Sequence, residues 1–293
     1  KEIFAQDWLK YACNVLEIKL PNREYEIACY TYERLLFSLL VASDYYATAY
    51  QKENYCIESY GTITDINKLY QIYSDTDVMK KIRDYQKTEE HTEQNINSLR
   101  TELFLESEQT LLRHLDENIY YLEAPTGSGK SNTAMNLSFQ LIRNCDCLDK
   151  IMYIYPFNTL VEQNESILRK IFGENPEAIE QIKVVNSITP IYQTEVKEEN
   201  EKYVTACQKA LLDRQFFNYP IAVSTHVTLF HTMFGDNRED AFSFHQLANS
   251  VIVLDEIQSY RNEIWTEIIV FLKMFAKLLH MKVIIMSATL PDL

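Results

Sequence analysis

Tyr30, Leu35, Leu36, Leu39, Leu40, Ala42, Tyr46 and Ala49 recur at the three-to-four-residue spacing of a helix with one apolar face. The chain to about residue 60 therefore reads as helical. Residues 62–97 are polar and charged, with Asp65, Asp75, Asp77, Glu89, Glu90 and Glu93, and contain no proline. They predict a helical connector or a solvated helix pair, and the domain boundary falls there. From residue 98 the texture changes. Short apolar, β-branched or aromatic runs appear at Ile119–Leu122, Ile151–Tyr155, Lys183–Val185, Ile221–Val223, Val251–Leu254 and Val283–Met286. Longer stretches of helical pattern separate them. Strands alternating with helices predict an α/β fold with a parallel sheet and crossovers on both faces. Val251–Leu254 has no in–out alternation, as expected of a buried parallel strand. Thr189–Lys202, rich in Glu and Lys, reads as an exposed loop or helix start.

Composition narrows the function classes. The chain has 293 residues, 46% hydrophobic and 24% charged, which suits a protein that buries a core. No run of about 18 uncharged apolar residues occurs, so no membrane span is expected. The net charge is -14, from 28 Lys+Arg against 42 Asp+Glu. A protein that coats duplex DNA through a broad basic face has the opposite balance. Contact with nucleic acid would therefore be local, or made beside a more basic partner. The six cysteines (Cys13, Cys29, Cys56, Cys145, Cys147 and Cys207) form no C-x-x-C pair. They read as reduced thiols of a cytoplasmic protein rather than a zinc site. His226, His231 and His245 stand at no metal-ligand spacing with a cysteine and read as structural or surface residues.

Only five glycines occur, and two of them, Gly127 and Gly129, lie two residues apart. They fall in Ala124-Pro125-Thr126-Gly127-Ser128-Gly129-Lys130-Ser131, after an apolar run and before a helical pattern starting at Asn132. Backbone N–H groups of such a loop can wrap a phosphate, and the helix N-terminus adds its dipole. Lys130 would reach the β- and γ-phosphates of ATP, and the Ser131 hydroxyl would ligate Mg²⁺. Ala124 stands where the common pattern has its first glycine. A chance Gly-Ser-Gly-Lys-Ser turn is the competing explanation, and the strand-to-helix context argues against it. Ser250–Leu254 leads into Asp255-Glu256-Ile257-Gln258, which puts two carboxylates at the C-terminal end of a buried strand, where open α/β sheets bind ligands. Asp255 takes the metal-holding role of a P-loop enzyme, and Glu256 is placed to accept a proton from the attacking water. An ordinary acidic helix start is the alternative.

At this point the sequence resembles the superfamily 2 helicases. Ala124–Ser131 looks like their motif I, Asp255-Glu256-Ile257-Gln258 like motif II, and Ser287-Ala288-Thr289 like motif III, which links ATP hydrolysis to strand movement. Tyr155–Gln163 is similar to motif Ia, and Ser224-Thr225-His226 occupies the place of motif Ib. Within that superfamily the details resemble the CRISPR-associated type I helicase–nucleases. Asp255-Glu256-Ile257-Gln258 is similar to variants there, as is Asn97-Ser98-Leu99-Arg100, at the place of an adenine-recognition motif. Leu39–Tyr46 resembles the last helix of an HD nuclease domain, and Asp44 matches its final metal ligand.

The resemblance implies a helical end of an HD domain over 1–65, a connector over 66–97 and a first RecA-like domain over 98–293. It implies ATP and Mg²⁺ as cofactors, with a further divalent metal in the HD site of the whole protein. The implied partners are single-stranded DNA, translocated 3′ to 5′, and an RNA-guided surveillance complex in antiviral defence. Asn158, Thr159, Ser224 and Thr225 would bond phosphate oxygens without reading bases, with helix capping by Asn158 and Thr225 as the alternative. Gln258, Ser287, Ala288 and Thr289 would couple hydrolysis to movement. No His-Asp pair occurs for the other HD ligands, no initiator Met opens the chain, and it ends just after motif III. A fragment is therefore expected, inactive by itself without its second RecA-like domain. A nucleotide- or partner-binding module without turnover, or another superfamily 2 helicase, stands as the rival reading.

Overall fold

A computed structural model describes residues 22–53, 60–87, 95–185, 210–257 and 265–288. Six strands form one sheet: β1 (Ile119–Glu123), β2 (Lys150–Tyr155), β3 (Ile182–Val185), β4 (Ile221–Thr225), β5 (Ser250–Leu254) and β6 (Lys282–Ser287). Their order is β1-β6-β5-β2-β4-β3 and every pairing is parallel. All six coincide with the runs read from the sequence. Strands β2, β4, β5 and β6 are buried at every position. This is why they show no alternation: helices cover both faces of the sheet, and each residue needs an apolar side chain whichever way it points.

Successive residues of β2 feed opposite faces. Ile151, Tyr153 and Tyr155 pack with Phe139, Leu168 and Phe172. Those partners come from α5 (Lys130–Asn144) and α6 (Asn158–Phe172). Met152 and Ile154 pack with Leu229, Leu272 and Phe275. These come from α8 (His226–Phe234) and α9 (Trp265–Leu278), with the short α7 (Pro176–Glu180) before β3.

The long helix α1 (Asn22–Glu53), the first among the described residues, lies on the second face and is bonded to the core through side chains. Arg34 donates to the carbonyls of His231, Thr232 and Gly235, at 3.0, 2.8 and 3.1 Å, where α8 ends. The His231 carbonyl also accepts the Gly235 N–H at 2.8 Å, whereas the Thr232 carbonyl is one of the orphans that every helix C-terminus leaves. Tyr30 donates to the Met233 carbonyl at 2.6 Å, and Ser38 to that of Phe242 at 2.8 Å. A small aromatic cluster of Phe216 and Phe242 closes over Val41 and Ala42.

The helix pair expected over 62–97 is present as α2 (Ile66–Ser74) and α3 (Asp77–Lys87), followed by α4 (Ile96–Arg113), but it is not a solvated connector. Leu69, Tyr73, Met79 and Ile82 are buried in the same core as α5 and the sheet. The Tyr73 hydroxyl donates to the carbonyl of Asn132 at 3.1 Å, directly behind the glycine loop. The described acidic residues that gave this stretch its polar look stand at helix ends, whereas Glu89, Glu90 and Glu93 lie outside the described residues. Asp65 caps α2 by accepting from the Lys68 N–H at 3.0 Å, Asp75 ends α2, and Asp77 lies in the first turn of α3. Thr189–Lys202 lies outside the described residues.

Candidate nucleotide-binding site

Parallel strands point their C-terminal ends one way, and the residues singled out in the sequence collect along that edge. Strand β1 runs into the glycine loop, and its last residue pairs in register with Ser287 of β6. The Ala124 N–H continues that ladder, donating to the Ser287 carbonyl at 3.2 Å. Beyond β6 lies β5, whose end carries Asp255; its N–H donates to the Ile154 carbonyl of β2 at 2.9 Å. The first and third motifs are thus neighbours through the β1–β6 pairing, and the second is one strand away.

Gly127 and Gly129 take φ values of +82° and +90°, the left-handed region that a side chain makes costly. Gly129 is the N-cap of α5 and offers no side-chain cap. The first-turn N–H groups of α5 therefore have no intrahelical partner and face the loop. The buried Ser128 hydroxyl has no hydrogen-bond partner among the described residues. Ser131 is exposed in the first turn. Lys130 is only 8% exposed, and its ammonium crosses the loop to the Ala124 carbonyl. A cavity of about 480 Å³ opens here, lined by Arg100, Gly127, Lys130, Ser131, Asp255 and Glu256 among others. Its size is that of a small-ligand site.

Asp255 is 8% exposed. Burial first, and the neighbouring Glu256 second, push its pKa up to about 6, while Lys130 opposes the shift. Glu256 has a φ of +50°, a left-handed conformation uncommon for a residue with a side chain. The chain turns there as it leaves β5.

Arg100 of α4 reaches the loop: its Nε donates to the Gly127 carbonyl at 2.8 Å and its Nη1 to Asn97 Oδ1 at 3.1 Å. Both Asn97 and Arg100 are exposed beside the loop. Pro125 and Thr126 complete it, with the Ser128 N–H donating to the Pro125 carbonyl at 3.1 Å.

The nucleic-acid candidates separate. Asn158 and Thr159 open α6, just after β2, and Thr225 caps α8, just after β4. Strands β2 and β4 are paired, with Tyr155 opposite Thr225, so the two helix starts are neighbours. Thr159 is exposed. Thr225 accepts from the Thr228 N–H at 3.3 Å, so capping holds for it. Asn158 is not the cap; Phe157 is, and the buried Asn158 Oδ1 has no partner among the described residues. Ser224 needs correction as a phosphate contact: it is fully buried and its hydroxyl donates to the Val185 carbonyl of β3. An oxygen spent inside the sheet does not face a ligand.

Ser287 is buried at the end of β6 and Ala288 is half-buried beside it. Gln258 and Thr289 lie outside the described residues. Asp44 is exposed on α1, and the described residues hold no group of three or more His, Cys, Asp or Glu side chains fit to bind a metal. Of the structural and surface alternatives for His226, burial agrees with the first: the residue is fully buried at the junction of β4 and α8. Its only sequence signal is position, directly after the motif Ib threonine.

The fold and the loop define a P-loop α/β domain of the RecA-like type. The chain belongs to the DEAD/DEAH box helicase family, whose sequence pattern matches residues 101–293. It is similar to the CRISPR-associated nuclease/helicase Cas3 of Haloferax volcanii, with 25% identity over 179 residues, which are 59% of this chain and 19% of that protein. Among solved structures, T. fusca Cas3-ADP aligns over 66% of this chain and 22% of its own length, with 17% identity and a TM-score of 0.45. The DUF1998 helicase MrfA bound to DNA aligns over 75% of this chain and 27% of its own, with 18% identity and a TM-score of 0.44. The chain thus spans less than a third of the length of each of these relatives. Membership of the family implies ATP and a divalent metal as the site's ligands. Among the described residues, no helix is long and apolar enough to cross a membrane.

Proposed function

We propose that this chain is the ATP-binding part of a DNA-translocating helicase motor. The observation that carries the reading is the convergence, on one cavity, of a loop turned by left-handed Gly127 and Gly129, the amino end of α5, and the buried Asp255 carboxylate. Backbone N–H groups of the loop would hold the β- and γ-phosphates, and Lys130 would swing from the Ala124 carbonyl onto them. Ser131 and Asp255 would hold Mg²⁺, a hard cation suited to their oxygens, which when bound offsets phosphate charge. Glu256, set by its left-handed turn at the cavity wall, would take the proton of the attacking water. Arg100 would keep the loop open through the Gly127 carbonyl, with Asn97 beside the base.

The exposed Thr159 and the adjoining amino ends of α6 and α8 form the edge where a single strand would lie. Small polar groups and helix N-termini hold phosphates without reading bases. A net charge of -14 fits such a local contact better than a broad basic groove. The likeness to Cas3 supports, for the whole protein, DNA unwinding linked to an HD nuclease, engagement of an RNA-guided surveillance complex in antiviral defence, and a cytoplasmic setting. Residues 1–65 would then be the helical end of the nuclease domain, and the helicase domain would start near residue 98.

The test is binding of a fluorescent ATP analogue with Mg²⁺ to the full chain and to Lys130→Ala. Binding by the parent and its loss in the variant are expected. Equal affinity in the two proteins would remove the assignment.

A further inference from the structure

Phe157 closes the turn between β2 and α6, and it is 61% exposed. Most described phenylalanines are buried or half-buried; Phe37, at 36%, is the other exposed one. Burying a phenylalanine contributes to stability, and this ring forgoes most of that contribution. One exposed apolar side chain is ordinary on a protein surface. What sets this one apart is how it is held and what stands beside it.

The buried Pro156 precedes it, with the fixed φ of a proline. Phe157 itself is extended, with φ −137° and ψ 151°, and its carbonyl accepts from the Leu160 and Val161 N–H groups at 3.1 and 3.2 Å. The backbone under the ring is thus fixed on both sides. A flat apolar face on a rigid support loses little freedom when a ligand stacks on it. The neighbours are the groups assigned above to phosphate. Phe157 is the N-cap of α6 and gives it no side-chain cap, so first-turn N–H groups of that helix lack an intrahelical partner. Thr159, two residues on, is exposed. Tyr155 stands opposite Thr225, and Val227, as far past Thr225 as Phe157 is past Tyr155, is 56% exposed. An apolar platform therefore borders polar groups suited to a backbone. A single strand offers the same two chemistries, charged phosphates and the π-faces of its bases.

We propose that Phe157 is a base-stacking residue of the strand-binding edge, receiving one base of single-stranded DNA while the amino ends of α6 and α8 hold adjoining phosphates. The proposal rests on the functional reading above and adds to it a contact with the bases. Every base has a π-face, so such a stack holds a strand without reading its sequence. A motor that moves along any sequence needs that tolerance.

The experiment uses the full chain and two end-labelled strands of equal length, a thymidine oligonucleotide and a wholly abasic one, with binding read by fluorescence anisotropy. Phe157→Ala should bind the thymidine strand about tenfold more weakly than the parent, within the range of one base–aromatic stack. It should bind the abasic strand within about twofold of the parent, because no base is there to lose. Phe157→Trp should bind the thymidine strand within about threefold of the parent, since its ring also stacks. The salt dependence of thymidine-strand binding should be the same in Phe157→Ala, which removes no phosphate contact. The exposed ring leaves no cavity when truncated, and unchanged affinity for a fluorescent Mg²⁺·ATP analogue checks the fold. Unchanged affinity of Phe157→Ala for the thymidine strand, the result if the ring serves a protein contact, overturns the proposal. Equal weakening toward the abasic strand, or no recovery in Phe157→Trp, overturns it too. A parent that binds neither strand overturns the functional reading, and this proposal with it.

Discussion

Replacing Asp255 with asparagine should stabilise the metal-free protein near neutral pH. The side chain is buried, and its pKa rises from 3.8 to about 6 because burial and Glu256 disfavour the charge more than Lys130 favours it. At 1.36 kcal/mol per pH unit, that displacement is ~3 kcal/mol of unfavourable ionisation. The sign follows from linkage. Between pH 3.8 and about 6 the folded chain holds a proton that the unfolded chain has released. Stability of the parent therefore falls as pH rises through that window, and the loss is complete above it. Asparagine keeps the shape and cannot ionise. Asp255→Asn should match the parent near pH 4 and exceed it by up to ~3 kcal/mol at pH 7.5, several degrees in Tm for a chain of this size. Urea unfolding of the two proteins from pH 4 to 8, in chelator, makes the measurement, since titrating groups that do not interact with Asp255 cancel in the difference. With Mg²⁺ and nucleotide the order should reverse, because only the parent gains from the ligand. A variant less stable than the parent at pH 7.5 in chelator, or a gain equal at both ends of the pH range, would refute the reasoning.

Gly61→Ala should destabilise the fold by ~2–5 kcal/mol, adding left-handed strain to overpacking. Gly61 has a φ of +70°, and a Cβ there would stand 2.4 Å from the Asn218 carbonyl carbon. An unchanged urea midpoint would show that the contact yields freely. Arg34→Met should lose ~2–3 kcal/mol, because the carbonyls of His231, Thr232 and Gly235 lose a charged donor while the apolar stem is kept. The same urea titration checks it, and nucleotide affinity should stay unchanged, since Arg34 lies at the far end of α8 from the cavity.

Much of the site is local, and local features are legible in one dimension. The glycine loop could be read because two scarce glycines stood where a strand must turn sharply into a helix, and both indeed take left-handed φ values. The strands could be read because burial on both faces demands unbroken apolar runs, as in Val251–Leu254. Counting charges failed over 62–97. Asp65, Asp75 and Asp77 are solvated as their charge implies and also mark helix ends, and it is Leu69 and Tyr73 at helical spacing that carry the information about burial.

The strand order is not local. Nothing near Ser224 in the chain says that β3 lies beside it and that the Val185 carbonyl will take its hydroxyl. Residues 154 and 255 lie far apart in the chain and meet only because β5 pairs with β2. Likewise Arg100 reaches Gly127 only because α4 packs along α5. The amino-acid sequence by itself determined which segments turn, cap and bury, because dihedral sterics and apolar periodicity act within a few residues. Which of those segments became neighbours was decided only in the tertiary structure, where parallel pairing and helix packing join residues through contacts that carry no signature in the sequence around them.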